Sequence, residues 1–514
     1  MNPSVAELLV HSAKTTPDNI AVRFQGESTT YAALDAGSNK IAHGLMSKGI
    51  GRGNHVALYC INSPHFMMSY FGILKAGATV VPINLLLHPE EVQFLLNDSE
   101  AKALIYHQVT DKAVAAIRSG LKTVKNLIAI GETALEEADS FSRIMSEESD
   151  DAVLVVPEKE DALAAILYTG GTTGLPKGAM LMHTNLLANA ASVAKALKLK
   201  GHQDKFLTVL PMFHSFGATV GFLTPISHGA TVIAVPQFAP EATCKIIQEE
   251  KATVFMGVPT MYAMMANIPK ESEYDLSSLR YGISGGAALP VSVLVNFENR
   301  YNVPIYEGYG PTECSPVLTV NPIGGKRKIG SVGLPILGVE LKIMDDEGKE
   351  LPVDTVGEVC AKGANIMKGY FKREEETKES FHDEWFRTGD LGKMDDEHYF
   401  YIVDRSKDLI IVHGINVYPR QVEEVIYKHP AVAEAAVIGI PDDFHGELPK
   451  AFVALKEGYD LKPQDIIKHC RQHLGKFEIP RRVEFLDSLP KSGANKILKR
   501  KLREMEIGKK KEGK

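Results

Sequence analysis

Through roughly the first 330 positions, short apolar runs rich in β-branched residues alternate with amphipathic stretches. The run at 163–168 predicts a buried strand. Residues 184–199 predict a helix with Leu187, Ala191, Ala194 and Leu197 on one face. The runs at 206–210, 231–235 and 253–256 predict further strands, with helical stretches between them, which is the texture of parallel α/β layers. Near Gly330 the pattern changes. Glycines at 330, 333, 338, 348, 357, 363 and 369 punctuate alternating runs such as 339–344 and 357–362, predicting a small antiparallel β unit. After Asp404 and Arg405 strands are expected at 409–412, 432–440 and 483–486, and helices at 419–429 and 463–474. The fold class read from this is α/β: a large N-terminal domain of stacked α/β layers with a small β-barrel-like unit (1–404), then a small α+β C-terminal domain (405–514). The boundary falls near Asp404–Lys407.

At 514 residues the chain is too long for one hydrophobic core, which agrees with at least two domains. Its net charge of -7 argues against general nucleic-acid binding. From Arg405 onward there are 22 Lys and Arg against 16 Asp and Glu, a net of +6, which leaves -13 for the rest. That basic part reads either as a surface attracting a polyphosphate or as a plain basic tail, since Lys509, Lys510 and Lys511 supply half of the excess. The five cysteines are scattered with no C-x-x-C pair, so neither a disulfide framework nor a zinc site is expected, and a reducing cytoplasm fits. No signal peptide and no membrane span are read; peripheral membrane contact stays open.

The most informative segment follows the predicted strand at 163–168. It runs Tyr168, Thr169, Gly170, Gly171, Thr172, Thr173, Gly174, Leu175, Pro176, Lys177, Gly178. Its glycines let the backbone turn N–H groups toward an anion, its threonines add hydroxyl donors, and Lys177 adds a charge. Such a set suits a polyphosphate. It is not a Walker loop, because Pro176 precedes the lysine and Gly178 follows it. Other segments stand out less sharply. His214 lies in an apolar run ending at Gly217, where a structural histidine is the commoner case. Residues 217–222 are small and apolar, suited either to an aliphatic chain or to helix packing. Gly285, Gly286 and Ala287 follow Ser284 at a strand end. Glu307, Gly308, Tyr309, Gly310, Pro311, Thr312 and Glu313 combine a stacking ring, a thin backbone, a hydroxyl donor and a hard carboxylate ligand.

Together these segments resemble the adenylate-forming, AMP-binding enzymes, which include acyl- and aryl-CoA synthetases, beetle luciferases and nonribosomal-peptide adenylation domains. Within that superfamily the chain looks most like bacterial medium- and long-chain fatty acid–CoA ligases. The resemblance spans about residues 19–503. It implies that the loop of Thr169 to Lys177 holds the phosphates of ATP. Gly285, Gly286, Ala287, Glu307, Gly308, Tyr309 and Gly310 would border adenine, Thr312 the α-phosphate, and Glu313 the Mg2+ ion. Asp390 would take the ribose, with Arg405 and the neighbouring position 402, an isoleucine (Ile402), alongside. His214, Gly217, Gly257 and Gly286 would lie by the acyl group and thiol path, and Gly414 would line the pantetheine channel. Lys407 would be the hinge of a mobile C-terminal domain, and Lys496 the catalytic lysine, with His214, Thr312 and Glu313 beside it. The chain departs from the family at Gly171, usually Ser, at Asn495, usually Gly, and mildly at His413. No carboxylate stands at Gly217 to hold a substrate amine.

The implied reaction joins a carboxylic acid, expected to be a fatty acid, to ATP as acyl-AMP and then to coenzyme A. An aryl or other acid, a carrier protein as acceptor, luciferase-like oxygenation, or a non-catalytic nucleotide sensor are the alternatives. Cofactors and co-substrates are ATP, Mg2+ and coenzyme A. The partner is a small organic acid, and the chain a monomer or homodimer.

Overall fold

The structure, a computed structural model, describes residues 3–512 apart from 171–174, 270, 272, 443, 493 and 494. Gly171, Thr172, Thr173 and Gly174 of the predicted phosphate loop therefore lie outside the described residues.

Two large sheets form the N-terminal part. In the nine-stranded sheet the order is Leu334–Pro335, Thr319–Val320, Ile305–Tyr309, Tyr281–Ser284, Val254–Gly257, Lys205–Thr208, Thr231–Ala234, Ile20–Phe24, Glu27–Thr30. From Ile305–Tyr309 to Ile20–Phe24 the strands are parallel. Lys205–Thr208 precedes both of its neighbours in sequence, so the chain winds away from it in both directions. Crevices at the carboxyl ends of strands beside such a reversal are where α/β sheets bind ligands. The eight-stranded sheet carries the predicted strand, here Leu163–Thr169, paired antiparallel to Lys177–Met182. The first strand thus ends at Thr169, at the cleft end of the sheet, and the chain re-enters the sheet at Lys177 beside it.

The helix expected at 184–199 is His183–Ala196, and its buried face is rotated from the one predicted. Leu186, Asn189, Ala190, Val193 and Ala194 are buried, whereas Ala191 is exposed. Two asparagines on the core side cause the mismatch. Asn185 donates to the Ala364 carbonyl at 2.7 Å and Asn189 to that of Val317 at 2.7 Å. Satisfied buried amides break an apolar stripe without exposing the helix face.

The strand predicted at 206–210 ends at Thr208 for a similar reason. The Asn62 amide, nearly fully buried, donates to the carbonyls of Leu210 (2.9 Å) and Val235 (3.1 Å) and accepts from Met212 N–H (2.7 Å). One side chain so replaces ladder bonds at two adjacent strand ends and fixes the turn that leads to His214.

The expected antiparallel unit is present. Val339–Met344, Gly357–Gly363, Trp385–Met394, Phe381–His382 and Phe400–Arg405 form one antiparallel sheet. Val332, Ile343, Val359 and Phe400 pack together on it. The chain then makes a single 3-10 turn, Ser406–Asp408, and enters a separate five-stranded sheet beginning at Ile410–Val412. Helices Pro419–Tyr427 and Pro463–Arg471 pack on that sheet through Val422, Ile426, Ile466 and Cys470.

Candidate functional site

Strand ends from both large sheets and segments of the C-terminal lobe enclose a cleft of about 1970 Å³. Thr169, Gly170 and Lys177 enter it from the hairpin, and His214 from the turn set by Asn62. Gly285, Gly286, Ala287, Glu307, Gly308, Tyr309, Gly310, Thr312 and Glu313 follow from two adjacent parallel strands. Asp390, Ile402, Arg405 and Lys407 come from the antiparallel sheet and the turn after it, and Lys496 from the C-terminal lobe.

The hydrogen bonds show how the pieces are held. Glu313 Oε1 accepts from Thr169 Oγ1 at 3.3 Å and from the Tyr370 hydroxyl at 2.9 Å. Lys177 stands over the Tyr370 ring at 5.4 Å and faces Glu376 at 4.0 Å. Thr312 and Ser215 share a hydroxyl contact of 3.0 Å, which ties the Glu313 turn to the His214 turn. Tyr309 donates to Asp390 at 2.6 Å, and Arg405 lies 3.2 Å from the other Asp390 oxygen. These two contacts fix the orientation of the Asp390 carboxyl group, which is suited to accept from vicinal hydroxyls. The Ser284 hydroxyl is fully buried at the cleft wall with no hydrogen-bond partner. Gly310 could carry no side chain, since a Cβ would lie 1.8 Å from the Pro316 carbonyl oxygen. Gly308 and Gly310 line the cleft without side chains, which leaves this wall bare enough for a flat ring such as adenine.

Charge is tuned by burial. His214 is exposed to the cleft space, and desolvation by the enclosing walls, with the Lys496 charge as a second cause, holds its pKa below the usual value. Its Nδ1 accepts from Phe216 N–H at 3.3 Å, which leaves the proton on Nε2 as a neutral donor. Desolvation, then Arg405, lowers the Lys496 ammonium to about 8. Burial raises the Glu307 carboxyl to about 7, although Arg420 of the C-terminal lobe lies 4.0 Å away. Lys407 is lowered mainly by desolvation.

Asn495, at the position where glycine was expected, adopts a left-handed φ of 57°. Its carbonyl accepts from Thr260 Oγ1 at 2.8 Å, across the cleft from a helix of the N-terminal part. Lys496 is thus presented inward by a tight turn, closed by Ser492 N–H on the Lys496 carbonyl at 2.7 Å.

Three expected site glycines lie outside the cleft lining. Gly217 serves close packing, because a Cβ there would approach the Pro211 carbonyl oxygen to 2.2 Å. A Cβ at Gly257 would press on Phe255 and Tyr262 at 3.2 Å. Gly414, with φ of 79°, sits in the C-terminal lobe in open space, beside the His413 and His445 rings, which meet at a tilt. Sequence reasoning missed Asn62, Ser215, Thr260, Tyr370, Glu376 and Arg420. Each acts on a partner between 57 and 235 positions away in the chain.

Among the described residues no group of three or more His, Cys, Asp or Glu side chains is arranged to hold a metal alone. Mg2+ keeps waters and takes phosphate oxygens, so it needs only one or two carboxylates, and Glu313, bonded to Thr169, is a carboxylate that could be one. No helix among the described residues is long and apolar enough to cross a membrane.

Comparison with known proteins finds relatives over nearly the whole chain. The chain is 36% identical to a long-chain-fatty-acid–CoA ligase of Bacillus subtilis, over 98% of this chain and 95% of that one. It is 35% identical to a feruloyl-CoA synthase of an Amycolatopsis species, covering 98% and 99%. The crystal structure of an anthranilate CoA ligase in complex with anthranoyl-AMP superposes with a TM-score of 0.92 at 30% identity, covering 98% of this chain and 97% of that one. Residues 9–371 match the family described as AMP-binding enzyme, and residues 421–496 match the AMP-binding enzyme C-terminal domain. The chain belongs to the AMP-binding enzyme family.

Proposed function

We propose that the chain activates a carboxylic acid, in its main role a fatty acid, as acyl-AMP and transfers the acyl group to coenzyme A. One observation carries this reading: Lys496 of the C-terminal lobe reaches the same cleft as Lys177, His214, Thr312 and Glu313.

In the first step a carboxylate oxygen of the acid bonds to the α-phosphorus of ATP, and the bond to pyrophosphate breaks. Two anions must meet, so fixed geometry and positive charge matter more than an acid or base. Lys496 is placed between carboxylate and α-phosphate, and Lys177 beside the departing phosphates. The Nε2–H of neutral His214 donates to the acid without repelling a cation. Thr312, braced by Ser215, donates toward the α-phosphate. Bound Mg2+ would offset the negative charge of the phosphates. In the second step a thiol sulfur bonds to the acyl carbon, AMP leaves with the bonding electron pair, and the thiol proton passes to solvent.

Residues 1–404 and 405–514 are assigned as two domains hinged near Lys407, with Gly414 replacing Lys496 at the cleft for the second step. Support comes from the single turn of Ser406–Asp408 between two separate sheets. A reducing cytoplasm suits the five cysteines, all free and buried.

The test is acid-dependent exchange of labelled pyrophosphate into ATP, followed by thioester assay with free coenzyme A. Exchange and acyl-CoA formation with straight-chain acids are expected. Exchange with aromatic acids alone, or a thioester only on a carrier protein, would overturn the substrate or acceptor, and absence of exchange the activity itself.

A further inference from the structure

Part of the cleft lining is apolar, and two tyrosines lie beyond it on the same sheet face. Strands Tyr281–Ser284 and Ile305–Tyr309 pair in parallel with Ile283 opposite Tyr306, so these side chains share one sheet face. Helix His183–Ala196 covers that face, and Val193, Ala196 and Leu197 line the apolar part opposite Ile283 and Val320. The lining reaches Ile283 and includes neither Tyr281 nor Tyr306, which lie behind it. Tyr281, two residues down the same face and 2% exposed, donates its hydroxyl to the Leu197 carbonyl at 2.6 Å. The Tyr306 ring meets it edge-on at 6.0 Å.

Both rings are backed from outside. Arg280 stacks on Tyr281 at 4.9 Å and pairs with Asp204 at 2.7 Å. Arg327 stands over Tyr306 at 5.6 Å and pairs with Glu298. Each tyrosine is therefore pinned between the apolar lining and an ion pair, and neither swings away at small cost.

We propose that Tyr281 and Tyr306 form the floor of the acyl pocket and restrict the enzyme to medium-chain acids. This rests on the acid-activating function proposed above. From Ser284 at the nucleotide end to Tyr281 is three residues of strand, a depth of about 10 Å. An extended alkyl chain with ~1.5 Å carbon–carbon bonds fills that depth with about eight carbons. Ile283, Val193, Leu197 and Val320 offer it no charged partner, so a terminal carboxylate or amine is rejected by desolvation.

The test measures kcat/KM for AMP release with straight-chain acids of four to eighteen carbons. The wild type should peak near eight and fall about tenfold for each carbon or two that overruns the floor. Tyr306→Ala and Tyr281→Leu should move the peak to longer acids, whereas Ala196→Phe should move it to shorter ones. Tyr281→Phe, which keeps the ring and removes only its hydroxyl bond, should leave the peak in place. A wild-type rate undiminished at sixteen carbons, or a peak that neither deepening nor filling variants move, would overturn the floor. If no acid releases AMP, the activating function itself fails. Activity with butyrate in each variant shows that the site is folded, so a shifted peak reports depth and not damage.

Discussion

At the residue scale, function rests on side chains whose charge is set by their surroundings. Lys496 is lowered to about 8 by desolvation first and by Arg405 second. Its charged form is the useful one, so activity should be lost as pH rises through that value. We expect kcat/KM for ATP in pyrophosphate exchange to be flat near neutrality and to fall above about pH 8. Lys496→Arg should be slower but lack the alkaline fall, since a guanidinium stays charged. A fall of the same position in both proteins would assign it to another group. His214 stays neutral across this range, because desolvation holds it below the usual imidazole value. Residues with a motif around them were legible in the sequence: Lys177, Thr312, Glu313, Asp390 and Lys496 all reach one cleft. Tyr370 was not, because nothing near it hints that its hydroxyl holds Glu313. Gly217 and Gly257 lie outside the cleft lining, and a glycine in sequence does not say whether it makes room for a ligand or for its own neighbours.

At the scale of elements, the period of the apolar residues was a good guide to strands and a poorer one to faces. The strand at 339–344 was read to the residue, since each of its ends is marked by turn residues. Helix His183–Ala196 was found but rotated, because Asn185 and Asn189 occupy its core side. Its neighbour strand was drawn too long, because Asn62, far away in the chain, ends it. The Lys496 turn shows local chemistry that did transfer. Asparagine tolerates the left-handed φ of 57° seen at Asn495. Asn495→Gly should leave pyrophosphate exchange within about twofold of the wild type, while Asn495→Ala should cost ~1 kcal/mol and lower exchange about fivefold. Equal rates for the two variants would show that the turn's backbone does not govern how Lys496 is presented.

At the scale of the whole molecule, the arrangement is committed to one of two proposed tasks. Thr260 holds the Asn495 carbonyl and Arg420 faces Glu307, so the C-terminal lobe is docked with Lys496 inward. Gly414 is then in open space, where an added side chain meets nothing within 4 Å. Gly414→Leu should accordingly retain acyl-AMP formation apart from modest backbone strain, and lose thioester formation by orders of magnitude. A parallel loss of both half-reactions would place Gly414 outside any thiol path. The lobes and their order were legible from a change of texture near Gly330 and again near Arg405. Which lobe contacts which side of the cleft was not, because those contacts join residues more than a hundred positions apart.

The measurement that bears most directly on the central claim separates the two half-reactions in Lys496→Ala. Acid-dependent pyrophosphate exchange should fall by orders of magnitude, while acyl-CoA formation from supplied acyl-AMP should proceed near the wild-type rate. Equal loss in both assays, or exchange that survives the substitution, would contradict a cleft in which this lysine serves the first step alone.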